Sequence, residues 1–181
     1  MPNATLPTAL INAATDNLQA LFDDAKAQLQ RAHGKWACRR IVCPKLLFTQ
    51  RGKIAGSALL QSAVIKLNPK LYRDNQAYYL SQVIAHELAH ILVFQLFGAK
   101  VKPHGTEWQY VMNDVFNLPA NVTHQLDVSK VAMRTFDYAC DCQHIQMTLI
   151  RHNKVLNNKQ QYLCKKCRQM FTWQTNTDQK D

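Results

Sequence analysis

Residues 83–94, VIAHELAHILVF, place three polar side chains, His86, Glu87 and His90, inside an otherwise apolar run. Burying imidazoles and a carboxylate without partners is costly, so something must satisfy these groups. On a helix, His86 and His90 project from the same face one turn apart, where both can bind one metal ion. Glu87 lies beside them, rotated by one residue, where it can reach a water molecule without ligating the metal. The stretch therefore predicts a zinc site on a buried helix.

The spacing His-Glu-x-x-His has a specific chemistry. Zinc makes a water molecule acidic and polarises a carbonyl while a neighbouring carboxylate takes the proton, so Glu87 is predicted to be the general base. The competing interpretation is chance occurrence on a buried helix. Chance is disfavoured because the chain has only two glutamates among 181 residues, and because it would leave three buried polar groups unsatisfied.

A catalytic zinc site uses three protein ligands and an open position, so a third ligand is expected downstream. Leu96 occupies the position where one class of metallopeptidase has its third histidine, which excludes that class. His104 is the preferred ligand, because the glycine beside it permits close backbone approach at the start of the next helix. Glu107 is the runner-up, since related sites take a carboxylate from a second helix. The other candidates are Asp114 and His124, the latter as a surface histidine in preference to an oxyanion-stabilising one.

Three helices are predicted from the pattern of apolar residues. Residues 8–32 repeat apolar side chains at three- and four-residue spacings, which is typical of an amphipathic helix. Residues 76–97 are apolar nearly all round, as in a helix buried inside a domain, and Gly98 is placed to cap its end. A third helix is predicted over 107–116, with a capping box that starts at Thr106.

Short strands are predicted between the first two helices. KLLFTQ (residues 45–50) is followed by a turn at Arg51-Gly52 and by KIAGSALLQSAVIKLNP, which ends at Asn68-Pro69. Near the C-terminus the β-like runs QMTLIRH (residues 146–152) and QQYLC (residues 160–164) are joined by the turn-rich NKVLNNK. The predicted class is α+β, with a small antiparallel sheet beside the motif helix.

Four of the six cysteines lie near the C-terminus, at Cys140, Cys142, Cys164 and Cys167. Two close pairs on the turns of two hairpins can wrap one tetrahedral zinc ion, and so small a module needs a metal to stay folded. His144 is an alternative to Cys142 as a ligand. Disulfides are the weaker interpretation for a chain that shows no secretory signal.

These motifs define the predicted domains. Residues 8–137 form the domain that contains the helical zinc motif, residues 138–174 form a zinc ribbon, and residues 175–181 form a polar, frayed tail. Cys38 and Cys43, in the first domain, are interpreted as free thiols.

The formal net charge of +10 is unevenly distributed. Residues 30–75 have ten Lys and Arg side chains against one Asp, and residues 138–181 have seven against three Asp. Cations interleaved with Tyr162, Phe171 and Trp173 suit the phosphates and bases of a nucleic-acid strand, although such aromatics can equally form the core of the ribbon. The basic residues concerned are Arg151, His152, Lys154, Lys159, Lys165, Lys166 and Arg168.

The N-terminal segment and the longest apolar run bear on the compartment. The first ten residues, MPNATLPTAL, lack the basic and apolar regions of a secretory signal. Polar residues interrupt the apolar run around residue 90, so its uninterrupted length is expected to stay well below the roughly 18 apolar residues that a membrane span needs. We therefore expect a cytoplasmic protein that has no membrane partner.

Five segments, taken in order, resemble the SprT family of zinc metallopeptidase-like proteins, whose eukaryotic relative is the DNA-dependent protease Spartan. The segments are IKLNPKLY, VIAHELAH, KPHGTEWQYVM, TFDYACDC and YLCKKC, and the resemblance covers roughly residues 15–172. It implies that His86, His90 and His104 ligate zinc and that Glu87 is the catalytic base. It also implies a compact zincin-like fold in which the strand GSALL pairs with an extended substrate.

The predicted function is a zinc-dependent metalloendopeptidase that acts on protein substrates, including proteins bound to nucleic acid. Two zinc ions are expected, one catalytic and one structural, and DNA, single-stranded or carrying a bound protein, is the expected second partner. The alternative is a zinc-binding nucleic-acid adaptor with little or no peptidase activity. Glu87 favours the enzyme, because a structural zinc site needs no base.

Overall fold

The computed structural model describes residues 6–123, Leu126 and residues 135–174, and of Trp36 and Ala37 only the backbone. His124 and the tail at residues 175–181 lie outside these residues. The chain divides into two compact units, Met1–Val131 and Ala132–Asp181. Helices and small sheets occur in both units, which confirms the predicted α+β class.

The first unit begins with helix α1, Thr8–Ala37. Its apolar face is buried as predicted, with Leu18, Phe22 and Leu29 at most 4% exposed. Gly34 interrupts the helix with a φ of 81°, a left-handed conformation that glycine adopts without a side-chain clash. The predicted amphipathic helix is therefore confirmed, and the helical segment extends beyond residue 32.

Three short strands form the sheet of the first unit: β1 (Lys45–Leu47), β2 (Gly56–Leu59) and β3 (Val64–Leu67), in the order β1-β3-β2. Strands β2 and β3 pair antiparallel, whereas β1 pairs with β3 in parallel. The prediction of a purely antiparallel sheet was wrong, because the turn at Arg51-Gly52 does not join neighbouring strands. The chain leaves β1, passes through this turn and enters β2 at the opposite edge of the sheet.

The predicted strand end at Asn68-Pro69 is confirmed, and the Asn68 side chain explains it. Its amide oxygen accepts hydrogen bonds from the N–H groups of Lys70 and Leu71, which caps helix α2, Pro69–Asp74. Its amide nitrogen donates to the carbonyl of Gly52 at 2.8 Å. One buried asparagine therefore ties the preceding turn to the start of the helix.

The central helical stretch, Gln76–Phe97, is continuous as predicted. It consists of α3 (Gln76–Tyr78), a π-helical turn (Tyr79–Val83) and α4 (Ile84–Phe97). Gly98 ends it with a φ of 80°, and its N–H donates to the Phe94 carbonyl, so the predicted cap is confirmed. The expectation that polar residues make this run too short for a membrane span was wrong, because by length and composition the stretch could cross a membrane. Half of its most apolar segment is nevertheless buried inside the protein, as in the central helix of a globular domain.

Helix α5 (Thr106–Tyr110) continues into a π-helical turn (Val111–Val115). The predicted capping box was wrong: Gly105 is the N-cap residue and no side chain caps the helix. The hydroxyl of Thr106 instead donates to the Glu107 carboxylate at 3.2 Å. The buried residues of the two segments are Trp108, Val111, Met112 and Val115.

The second unit contains strands β4 (Thr135–Cys140), β5 (Gln143–Thr148) and β6 (Thr172–Trp173), all antiparallel in the order β5-β4-β6, and helix α6 (Leu149–Leu156). Strand β4 begins ahead of residue 138, where the ribbon was predicted to start. The predicted strand QMTLIRH and turn NKVLNNK were wrong in part, because the chain becomes helical at Leu149. QQYLC contributes only an isolated bridge between Leu163 and Met170.

His152 explains why the chain turns helical after β5. Its ring stacks on Phe136 with centroids 3.5 Å apart, and its Nδ1 lies 3.0 Å from the hydroxyl of Tyr138. Helix α6 thus places the polar ring of His152 in the small core of the unit. His152 is buried, so it is not one of the exposed basic groups of the ribbon.

Candidate metal centres

Helix α4 and the turn before α5 bring three imidazoles together. His86 and His90 project from α4, and His104 approaches from a turn in which the Gly105 N–H donates to the Lys102 carbonyl at 3.0 Å. The Nε2 atoms form a small triangle, with 3.3 Å between His86 and His90. The other two sides are 3.1 Å from His90 to His104 and 3.2 Å from His86 to His104. The residue predicted as third ligand therefore lies with the motif histidines.

The triangle has the dimensions that zinc requires. A tetrahedral ion with Zn–N bonds near 2.0–2.1 Å places its nitrogen ligands about 3.3 Å apart. Burial, with the neighbouring His86 and His104, lowers the pKa of His90 to about 3, and burial also lowers the pKa of His104. These rings are therefore neutral, which is the form that offers a lone pair to a metal.

The competing ligand candidates lie elsewhere. Among the described residues, the metal-binding group around α4 consists of the three histidines and includes neither Glu107 nor Asp114. Asp114 is exposed on the turn after α5. His124 is outside the described residues, so its interpretation stays a prediction.

Trp108 forms a wall against the three histidines. Its ring centroid lies 4.8 Å from that of His86, 5.6 Å from that of His90 and 4.6 Å from that of His104. The indole N–H also donates to the backbone carbonyl of His86 at 3.4 Å. A rigid neighbour of this kind restricts the rotation of ligand rings. Trp108 was not predicted as a site residue, although its position four residues after His104, at the start of the next helix, is a usable signal.

Glu87 is held against the sheet rather than in the histidine triangle. Its side chain is only 8% exposed, and it packs so closely on Gly56 that a Cβ there would lie 3.0 Å from its Cγ. Burial raises the pKa of Glu87 to about 7, and a hydrogen bond from the Ala58 N–H partly opposes this shift. A carboxyl group with such a pKa can both accept and return a proton near neutral pH.

Strand β2 is an edge strand that lies beside the Glu87 side chain. Among the described strands it pairs with β3 alone, so the N–H of Ala58 that reaches Glu87 belongs to its other edge. The Tyr79 hydroxyl donates to the Ala55 carbonyl at 3.1 Å and ties the start of the strand to the central helix. The packing therefore fixes the edge of β2 next to the carboxylate.

Four cysteines form a second group, in the second unit. The Sγ atoms of Cys140 and Cys142 are 3.7 Å apart, and those of Cys142 and Cys164 are 3.6 Å apart. Zn–S bonds of 2.3 Å in a tetrahedral site imply S···S distances of about 3.8 Å. All four ligand atoms, including that of Cys167, lie within 4.8 Å of one another, whereas His144 is not in the group.

The local backbone favours the thiolate form of Cys164. The N–H groups of Cys167 and Lys166 donate to its sulfur and lower its pKa to about 6, although burial opposes this shift. The thiolate is the form that ligates zinc. Cys38 and Cys43 are free thiols outside both groups, and burial raises the pKa of each.

Among the described residues of the second unit, the basic side chains are exposed, apart from His152. Lys165 and Lys166 lie in the turn between Cys164 and Cys167, and the Arg151 guanidinium lies 5.7 Å from the ring centroid of Tyr162. The ring of Trp173 is 41% exposed. The described part of the unit therefore presents exposed cations and the partly exposed aromatic side chain of Trp173.

Comparisons with known proteins identify related chains. The family model described as "SprT-like family" matches residues 18–124. The chain is 46% identical to Protein SprT of Vibrio atlanticus over 135 residues, which cover 75% of this chain and 81% of that protein. It is 41% identical to Protein SprT of Yersinia pestis over 167 residues, which cover 92% and 93% of the two chains. No solved structure matches it.

A double-mutant cycle tests the contact between Gly56 and Glu87. The methyl group of Gly56→Ala would lie 3.0 Å from the Glu87 Cγ, so the buried Glu87 side chain would have to shift. We therefore expect the free energy of unfolding to fall by about 1–3 kcal/mol. In a Glu87→Ala background the same change should cost close to nothing, because the tight contact is gone. Urea unfolding of the four proteins measures both costs. Equal costs in the two backgrounds would contradict the described packing.

Proposed function

The chain belongs to the SprT-like family, and on this premise we propose that its first unit is a zinc-dependent metalloendopeptidase of zincin-like fold. The proposal rests on the triangle of Nε2 atoms of His86, His90 and His104, and on the Glu87 carboxyl group, which belongs to the same helix as His86 and His90. The three histidines would hold zinc. The carboxylate is buried and its pKa is about 7, which suits a general base and not a simple structural group.

Each group of the site has a role in peptide hydrolysis. Zinc, when bound, supplies a Lewis acid that polarises the substrate carbonyl and makes water more acidic. Glu87 takes a proton from the attacking water and returns it to the departing amide nitrogen. The Ala58 N–H orients the carboxylate, and Trp108 keeps the three imidazoles in place.

Strand β2 supplies a surface for an extended peptide. An exposed edge strand can add a further strand through main-chain hydrogen bonds, and β2 runs beside Glu87. Backbone pairing of this kind holds a peptide regardless of most of its side chains. The strand GSALL therefore supports an endopeptidase that cleaves within protein chains.

The second unit is proposed to be a zinc ribbon that binds DNA. Its four cysteines would hold one structural zinc ion, which a core as small as Tyr138, Met147 and His152 needs. Exposed lysines and arginines would contact phosphates, and Trp173 would stack on a base. This surface would bring the peptidase to single-stranded DNA or to a protein bound on DNA, in the cytoplasm.

Substitution of the base separates the enzyme from an adaptor. We expect Glu87→Gln to keep two zinc ions per chain and to lower cleavage of a DNA-bound protein at least about a hundredfold, because the amide cannot accept a proton. Cleavage is followed by gel electrophoresis with and without single-stranded DNA. Glu107→Gln, which changes the other glutamate, is the matched control and should cleave normally. Equal cleavage by wild type and Glu87→Gln would leave only the adaptor function.

Charge removal tests the DNA surface. We expect the double substitution Lys165→Ala and Lys166→Ala to weaken single-stranded DNA binding. The plot of log binding constant against log salt concentration should become less steep by about 1.4, or 0.7 for each lost phosphate contact. Fluorescence anisotropy with a labelled oligonucleotide over a salt series measures both effects. The pair Lys100→Ala and Lys102→Ala, exposed in the first unit, is the control. An unchanged affinity and salt slope would overturn the proposed role of the ribbon.

A further inference from the structure

A cavity of about 410 Å³ opens beside Glu87 in the first unit. His86 and Glu87 form one of its walls, and it extends towards the residues before β2. We propose that this cavity is the specificity pocket of the site and takes one large, uncharged apolar side chain, aromatic or aliphatic, from the substrate. This inference rests on the peptidase function proposed above and adds the class of residue next to the scissile bond.

The lining favours an apolar group. Ala55, Val83 and Met112 are at most 5% exposed and form its apolar part. Ile54 and Val122 are 56% and 53% exposed and line the same cavity. A side chain that enters the cavity would remove the exposed apolar surface of Ile54 and Val122 from water, which is the driving force of apolar recognition. The volume exceeds the roughly 150 Å³ that accommodates benzene in a protein interior, so a bulky ring fits.

The charges around the cavity disfavour ionised side chains. Among the described lining residues, the only carboxylate is Glu87 and the only amine is that of Lys53, which is exposed. An acidic side chain would be repelled by the Glu87 carboxylate, the form in which that group acts as a base. A basic side chain would have to leave water for an apolar floor and approach Lys53. An uncharged side chain incurs neither cost.

A second, smaller recess makes the site asymmetric. It has a volume of about 60 Å³ and is lined by Leu60, His90 and Trp108 among others. The large cavity includes Gly56, at the start of β2, whereas the small recess includes Leu60, just after its end. A peptide that pairs antiparallel with β2, the commoner arrangement, runs from the Leu59 end to the Gly56 end. The cavity would then receive the residue that follows the scissile bond.

Zinc-chelating hydroxamates test the pocket without requiring turnover. The probes are two dipeptide hydroxamates that differ only in a benzyl or a methyl side chain, and calorimetry with the zinc-loaded full-length chain gives their affinities. We expect the benzyl probe to bind at least about tenfold more tightly. Gln82→Trp fills the cavity from its half-buried wall and should abolish the preference. Ser81→Trp, on the exposed neighbour outside the cavity, should keep it.

Two further measurements keep the outcomes separable. Val122→Trp, on the exposed rim, replaces Gln82→Trp if that variant does not fold. Mass spectrometry of the fragments from a peptide library should find Phe, Leu or Met at the new N-termini. Equal affinities of the two probes for wild type would overturn the pocket, and the peptidase would stand if Glu87-dependent cleavage persists. A benzyl preference without any cleavage would support the pocket and overturn the peptidase.

Discussion

The convergence of three half-buried imidazoles beside a buried carboxylate on an apolar helix is the constraint that organises the first unit. The histidine rings converge on a single point, with their Nε2 atoms 3.1–3.3 Å apart, and burial keeps His90 and His104 neutral. A metal ion satisfies all three lone pairs at once, which hydrogen bonds among the rings cannot do. The surroundings of the site are arranged about this point: Trp108 packs against the rings, and β2 approaches closely enough to hold Glu87.

The grouping of the three histidines was more predictable from sequence than the fold around it. His86 and His90 could be placed together because helical spacing fixes their relative directions, and His104 with them because a glycine follows it in a short connection. Their role as ligands and the role of Glu87 as base stay predictions. The parallel pairing of β1 could not be predicted, since strand order depends on long-range packing that no local pattern encodes. Helix α6 was missed because a short apolar run such as QMTLIRH fits both strand and helix periodicity, and the burial of His152 against Phe136 decides between them.

Two units with different bases of stability are combined in one chain. The first has a large apolar core built around α1, α4 and α5, so its fold can position a site independently of the metal. The second buries few side chains and instead gathers four cysteines within 4.8 Å, so its fold and its zinc ion are expected to depend on each other. This difference suits the proposed division of roles, in which the first unit would perform the chemistry and the second would bind DNA.

The proposed zinc site of His86, His90 and His104 is tested by the zinc content that remains after challenge with a chelator. Full-length wild type, His104→Ala and Glu107→Ala are exposed to the same chelator, and the metal that remains on each protein is measured by mass spectrometry. We expect two zinc ions on wild type and on Glu107→Ala, and one on His104→Ala. Two tightly held ions on His104→Ala, or the loss of one from Glu107→Ala, would contradict it.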